Sequence, residues 1–218
     1  MNLIAELEQE HSLIERVAGS FRTYVSRLLE GDAPREEAAR FFRFFSLFVG
    51  EYHHEREDDV LFVTLVSALE VPPDRGPLFA LTLQHHDLAA TLASLEALLL
   101  LGEPTPEQRV DIDALCTRYV HGLWNHIDAE NSVLFPESEA RLARVGLGNL
   151  RARGPTAQEL EAREDGETLT LQYAPAHDSS AWRGDGCNAC PSFGVTCDGL
   201  ERTWWNEHEW AEAADHLG

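Results

Sequence analysis

The sequence predicts an all-α fold, an antiparallel up-down-up-down four-helix bundle with a small irregular C-terminal extension. Three observations predict it. Four long stretches carry apolar residues at strict 3,4 spacing, short Gly/Pro segments separate them, and the second pair of stretches repeats the pattern of the first. The bundle is expected over residues 1–145 and the extension over residues 146–218.

The length of 218 residues accommodates one sizeable domain and an appendage, and 44% hydrophobic with 25% charged residues is a globular composition. The formal charge is -21, and the sequence contains no lysine, so every long cation is arginine. This balance argues against nucleic acid or an anionic membrane as a partner, and describes a solvated acidic surface. Met1 to Ala18 reads as an amphipathic helix with charges throughout and not as a signal peptide. The apolar run around Leu98 to Leu101 is too short to span a bilayer. The expected location is the cytoplasm.

Residues 2–30 form the first predicted helix, with Ile4, Leu7, His11, Ile14, Ala18, Phe21, Val25 and Leu28 as its inner seam. Gly31-Asp32-Ala33-Pro34 ends it. The second helix runs over about 34–70, with Phe42, Phe45, Val49, His53, Glu57 and Val60 inward, until Val71-Pro72-Pro73-Asp74 breaks it. The third runs over about 76–101 on Leu78, Leu81, His85, Leu88, Leu92, Leu95 and Leu99. Thr105-Pro106-Glu107-Gln108 reads as a capping box that starts the fourth. That helix reaches about residue 142, carries Ile112, Leu115, Tyr119, His126, Glu130 and Val133 inward, and is kinked or ended by Pro136. In the extension, Thr156 and Glu159 cap a short helix to about 164, and Glu167 to Tyr173 alternates as a short strand. Residues 201–215, with Trp204, Trp205 and Trp210, read as a further helix.

The chemistry lies in the repeat. His11 precedes His53 by 42 residues and His85 precedes His126 by 41, and each half pairs a histidine on one helix with His-x-x-x-Glu on the next. His53/Glu57 and His126/Glu130 are followed by Val60-Leu61-Phe62 and Val133-Leu134-Phe135. Residues four apart share a helix face, so each pair can grip one ion. Burying two carboxylates without partners would cost several kcal/mol each, and a metal accounts for both residue types at once. Four imidazoles and two carboxylates without a thiolate suit iron or manganese better than structural zinc, and six side chains suit two ions, with about two positions left open for a small ligand. His54 and Asp58 form an alternative His-x-x-x-acid pair, rotated by about 100° from His53 and Glu57. The Val-Leu-Phe alignment favours His53 and Glu57, the leucine seam favours His85 over His86, and both register alternatives stay open in the sequence. His54 and Asp58 then read as partners of the ligands, His121 as a polar residue on another face, and Tyr119 as core beside the pocket.

Residues 3–142 resemble a hemerythrin-like, HHE cation-binding domain through Glu10-His11, His53-x-x-x-Glu57, His85-x-x-Leu88 and His126-x-x-x-Glu130 with its Val133-Leu134-Phe135-Pro136 tail. The resemblance implies a four-helix bundle around a non-haem di-iron centre. It implies terminal ligands at His11, His53, His85 and His126, and an oxo or hydroxo bridge alongside the bridging carboxylates Glu57 and Glu130. Proteins of this kind bind or sense O2, handle nitric oxide or peroxide, or store and sense iron. Oxygen carriers add a histidine one turn from the third-helix ligand, where this chain has Leu81 and Ala89.

The resemblance does not reach the tail. Cys187-x-x-Cys190 with Cys197 and His208 is a candidate zinc knuckle, with His177 or His216 as alternative fourth ligands, and a redox dithiol or unligated thiols in a packed loop are the competing readings. The expected function is a di-iron protein that binds O2 or reacts with nitric oxide or peroxide at an open iron position. An iron- or oxygen-responsive regulatory module, with a protein partner or a second copy of the chain on its tail, and an oxygen-activating enzyme are the alternatives.

Overall fold

The protein is described from a computed structural model that covers residues 2–100, 102–176, 181, 183 and 190–199. Among these residues every regular element is helical. The first long helix, α1 (Leu3–Glu30), ends where Gly31 turns into the left-handed region at φ 86° and its N–H caps the carbonyls of Arg27 and Leu28. The second long stretch, residues 37–69, is composite. It consists of α2 (Glu37–Arg43), two π-helical segments, π1 (Phe44–His54) and π2 (Glu57–Phe62), and α3 (Val63–Leu69). The third is α4 (Gly76–Leu100). The fourth is α5 (Pro106–Ala129), π3 (Glu130–Leu134) and α6 (Phe135–Arg144). The predicted capping box is present at its start, with both Thr105–Gln108 hydrogen bonds made. Pro136 neither ends nor breaks the stretch, because it falls in the first turn of α6 directly after π3.

The π segments have a sequence counterpart. π2 starts at Glu57 and π3 at Glu130, the two residues aligned by the repeat. A π turn takes about one residue more than an α turn. The inner stripe therefore continues at Leu61 and Leu134, both 1% exposed or less, while Val60 and Val133 are only half-buried. The 3,4 spacing assigned those inner places to the two valines.

Two apolar clusters fill the bundle. One is aromatic and gathers Phe21, Tyr24, Phe41, Phe44, Phe45, Phe48 and Tyr119 with Leu88, Leu92, Leu95 and Leu99 of α4. The other gathers Leu3, Leu7, Leu61, Leu65, Leu78, Leu81, Leu134 and Leu142. The start of α1 thus meets the ends of the second and fourth stretches, and Leu3 N–H donates to Leu150 O at 2.9 Å. The layer of buried polar residues lies at the sequence positions between the two clusters on every stretch.

The extension departs from expectation. Residues 167–173 are not a strand, because α7 (Ala157–Gln172) runs from the Thr156–Glu159 capping box to the end of that segment. A strand would put Leu169 and Leu171 on one face. Here Leu169 is fully buried and Leu171 is 89% exposed, whereas Ala162, Asp165, Gly166 and Leu169 share the helix face that packs on α1, α2 and π1. Asp165 pairs with Arg40 and Arg43 there, and Ala176 N–H donates to Gly19 O at 3.0 Å. The tryptophan-rich residues 201–215 lie outside the described residues.

Candidate metal centre

The middle of the bundle holds five imidazoles and two carboxylates. His11 comes from α1, His53 and His54 from the end of π1, Glu57 from π2, His85 from α4, His126 from α5 and Glu130 from π3. All are buried, Glu57, His126 and Glu130 completely. They form two groups able to hold a metal ion, His11/His53/Glu57/Glu130 and His54/Glu57/His85/His126, with the ligand atoms of each within 4.8 Å of one another. Glu57 belongs to both. Its Oε1 is 3.3 Å from His53 Nε2 and its Oε2 is 3.5 Å from His85 Nε2, so the carboxylate faces one group with each oxygen. Glu130 Oε2 lies 3.3 Å from both His11 Nε2 and His126 Nε2.

The orientation of the rings has a local cause. Four imidazoles turn Nδ1 outward to an acceptor on a neighbouring element. His11 donates to Asn131 Oδ1 at 2.7 Å, His53 to Glu10 Oε2 at 2.8 Å, His85 to Asp58 Oδ2 at 3.1 Å and His126 to Gln84 Oε1 at 3.0 Å. Nδ1–H fixes the tautomer and leaves Nε2 as a bare lone pair. These lone pairs oppose each other at 3.0 Å in two couples, His11 with His53 and His85 with His126. The carboxylate oxygens of Glu57 and Glu130, and His54 Nε2, have no hydrogen-bond partner. Imidazole nitrogens and carboxylate oxygens that converge without a hydrogen-bond donor from elsewhere in the chain are what a cation site requires, and burial would otherwise penalise them.

Each group of four contains one imidazole held by a carboxylate and one held by an amide. His53 has Glu10 and His11 has Asn131; His85 has Asp58 and His126 has Gln84. Carboxylate partners raise the basicity of the imidazole more than amides do, so each group has one stronger and one weaker nitrogen donor of this kind, and the second group has His54 in addition. Arg56, 1% exposed, binds Glu10 and Glu6, donates to Tyr52 O at 3.0 Å and stacks 3.8 Å from the Tyr52 ring centre. It holds the Glu10 carboxylate in place beside His53.

Burial pulls the His11 imidazole down to about 4, with His53 adding to the effect. Burial also drives His54 and His126 well below the usual histidine range, helped by their imidazole neighbours. At His53 burial works the same way, but Glu57 and Glu10 outweigh it and hold the group up at about 9. Burial pushes Glu57 up, and the facing His53 reverses this to hold it below the carboxylate range, while Glu130 is raised well above that range by burial and then by Glu57. Without a cation, the centre therefore takes protons on His53 and Glu130.

The structure brings all six sequence-selected residues together. It also bears on the two register alternatives. His85 is buried and His86 exposed. His54 does not give way to His53; both enter the centre, and His54 stacks on His85 with ring centres 4.0 Å apart. Its place in a metal-compatible group departs from the expectation of a mere partner, and the π-helical backbone around residues 53–57 lets adjacent histidines serve both groups. Asp58, which the sequence suggested as a partner of the ligands, is the partner of His85. His121 lies away from the centre, stacked on Trp124. Gln84, Asn131 and Arg56 were missed as orienting residues. Each stands next to an assigned residue in sequence, before His85, after Glu130 and before Glu57, and about 100° around a helix such a neighbour reaches the adjacent stretch.

A cavity of about 220 Å³ opens between the second stretch and α4, and reaches His54 and His85 past Phe45, Val49, Leu88, Leu92 and Tyr119. Phe135 stacks on His11 with ring centres 5.3 Å apart. In the tail, Cys190 and Cys197 lie in the described turn of residues 190–199, while Cys187, His208, His177 and His216 of the zinc alternatives lie outside the described residues. Among the described residues no metal-compatible group includes a cysteine, and no helix is long and apolar enough to cross a membrane.

Comparison with known protein families matches residues 2–138 to the hemerythrin HHE cation binding domain. No curated protein and no solved structure matches the chain.

Proposed function

The chain belongs to the hemerythrin HHE cation-binding family, and on that premise we propose that it is a non-haem di-iron protein that binds O2, or reacts with nitric oxide or peroxide, beside His54 and His85. The observation that carries this reading is the set of bare Nε2 lone pairs and unpartnered carboxylate oxygens directed at two adjoining positions. His11 and His53 would hold one iron, His54, His85 and His126 the other, and Glu57 and Glu130 would bridge. The meeting of the start of α1 with the ends of the second and fourth stretches supports up-down-up-down connectivity for the bundle. Iron, when bound, supplies a redox-active, oxygen-reactive centre.

The rest is the work of the chain. Asn131, Glu10, Asp58 and Gln84 fix the tautomers of His11, His53, His85 and His126, so these four imidazoles need not reorient on binding. The two apolar clusters exclude bulk water, which strengthens every electrostatic interaction in the centre. The cavity would admit a small ligand on the His54/His85 side, while Phe135 stacks on His11. Five histidines from four helices then arise by a different route from the added third-helix histidine of oxygen carriers, because the fifth is His54. In this reading the protein is cytoplasmic. A zinc ion on Cys187, Cys190, Cys197 and His208 is a separate proposal, tested by zinc content after Cys187→Ser/Cys190→Ser.

The test is anaerobic reduction of the iron-loaded protein followed by O2, nitric oxide or peroxide. A reversible charge-transfer spectrum with O2 supports a carrier or sensor, and rapid turnover of nitric oxide or peroxide supports a detoxifying enzyme. No spectral response to any of the three would sink the proposal.

A further inference from the structure

Of the four orienting contacts, three are made within the bundle. The fourth is different. Gln84 presents its carbonyl to His126 Nδ1–H, and its amide nitrogen donates to Ser192 Oγ at 2.8 Å and towards Cys190 Sγ at 3.2 Å. Both acceptors belong to the tail, beyond the residues that match the family. Ser192 is 8% exposed, and its own carbonyl accepts from the N–H groups of Val195, Thr196 and Cys197, so a tight turn holds it in place.

The sense of a carboxamide has chemical consequences. With its oxygen toward His126, Gln84 accepts Nδ1–H and leaves Nε2 bare. Reversed, its NH2 would donate to Nδ1 and require the proton on Nε2. That nitrogen is the one 3.0 Å from His85 Nε2 and 3.3 Å from Glu130, and once protonated it cannot bind a metal. Whatever fixes the amide therefore decides whether His126 is a ligand.

We infer that residues 190–192 are part of the orienting shell of the metal centre: Ser192 and Cys190 hold Gln84 as the positioning residue that keeps His126 in its metal-binding tautomer. The inference rests on the reading of His126 as a metal ligand. It gives the tail a role in the centre through hydrogen bonds alone, with no thiolate on the metal.

The test uses the full chain with ¹⁵N-labelled histidine. In the metal-free wild type, His126 is expected as a single Nδ1–H tautomer. Ser192→Ala/Cys190→Ala removes both acceptors and should give a mixture containing Nε2–H. Adding Gln84→Glu, whose side chain offers oxygen in either sense, should restore the Nδ1–H form in that background. With Co(II) as the probe metal, the double variant should release it about 10–100-fold faster to a chelator, and Gln84→Glu should reverse most of that loss. Thr196→Ala, in the same turn but off Gln84, serves as control. An unchanged His126 tautomer in the double variant, or no rescue by Gln84→Glu, overturns the inference. A wild type that takes up no Co(II) or iron would instead overturn the proposed metal function, and the tautomer comparison would still decide the positioning role.

Discussion

The Nε2 atoms of His11 and His53 face each other at 3.0 Å, with the Nδ1 of each ring committed to an acceptor on the far side. Two lone pairs so opposed repel unless a proton or a cation lies between them. The same opposition recurs at His85 and His126, and Glu57 stands between the two couples. Glu57→Ala should therefore empty both metal positions, because Glu57 is the residue common to the two groups. His54→Ala should affect the His85/His126 position alone. Elemental analysis of the two variants checks this, and equal iron in Glu57→Ala and wild type would contradict it.

Protons and metal compete at the centre, and the sign follows from His53. Its folded value of about 9 lies above the ordinary 6.5, so in the metal-free protein its charge pair with Glu57 stabilises fully below about pH 6.5 and is lost as pH rises through 9. A bound cation replaces that proton and has no such loss. The gain in Tm on metal loading should thus grow between pH 6.5 and 9. Thermal melts with and without metal across that window measure it, and a gain that shrinks with pH would speak against proton displacement.

Much of this was legible in the sequence. The seam spacing located four helical stretches within a few residues, and the repeat found six residues that do converge. The shift from Val60 to Leu61 and the inclusion of His54 were not legible, because 3,4 spacing presumes α turns and the backbone here is π-helical at both glutamates. The strand expected over residues 167–173 failed for a tertiary reason. Alternation of Leu169 and Leu171 is a local signal, whereas the burial of Leu169 against the bundle, with Leu171 left in solvent, decides the conformation.

Arg56 is a buried cation held by Glu10 and Glu6. Arg56→Met takes from the partly buried Glu10 carboxylate, beside His53, its main counter-charge. Removing one partner of such a pair costs about 3–5 kcal/mol. Urea denaturation of the metal-free protein should show a loss toward the lower end, since Glu6 is one-third exposed. A change below about 1 kcal/mol would mean the pair is effectively solvated.

Gly166 lets α7 lie directly on the aromatic cluster. A Cβ there would meet the Phe44 ring at 2.5 Å and Val17 Cγ2 at 3.1 Å. Gly166→Ala should destabilise by about 1–3 kcal/mol through overpacking. Gly154→Ala, with nothing within 4 Å, should stay within about 0.5 kcal/mol of wild type. Equal stability of the two variants would show that α7 is loosely attached.

The most direct test is the iron stoichiometry of the full chain, reconstituted anaerobically with Fe(II), freed of excess metal and analysed for iron per protein. Two groups sharing Glu57 predict about two irons per chain, retained through desalting and removed by a strong chelator. Retention of no iron, or saturation at a single ion, would contradict a di-iron centre built from these seven residues.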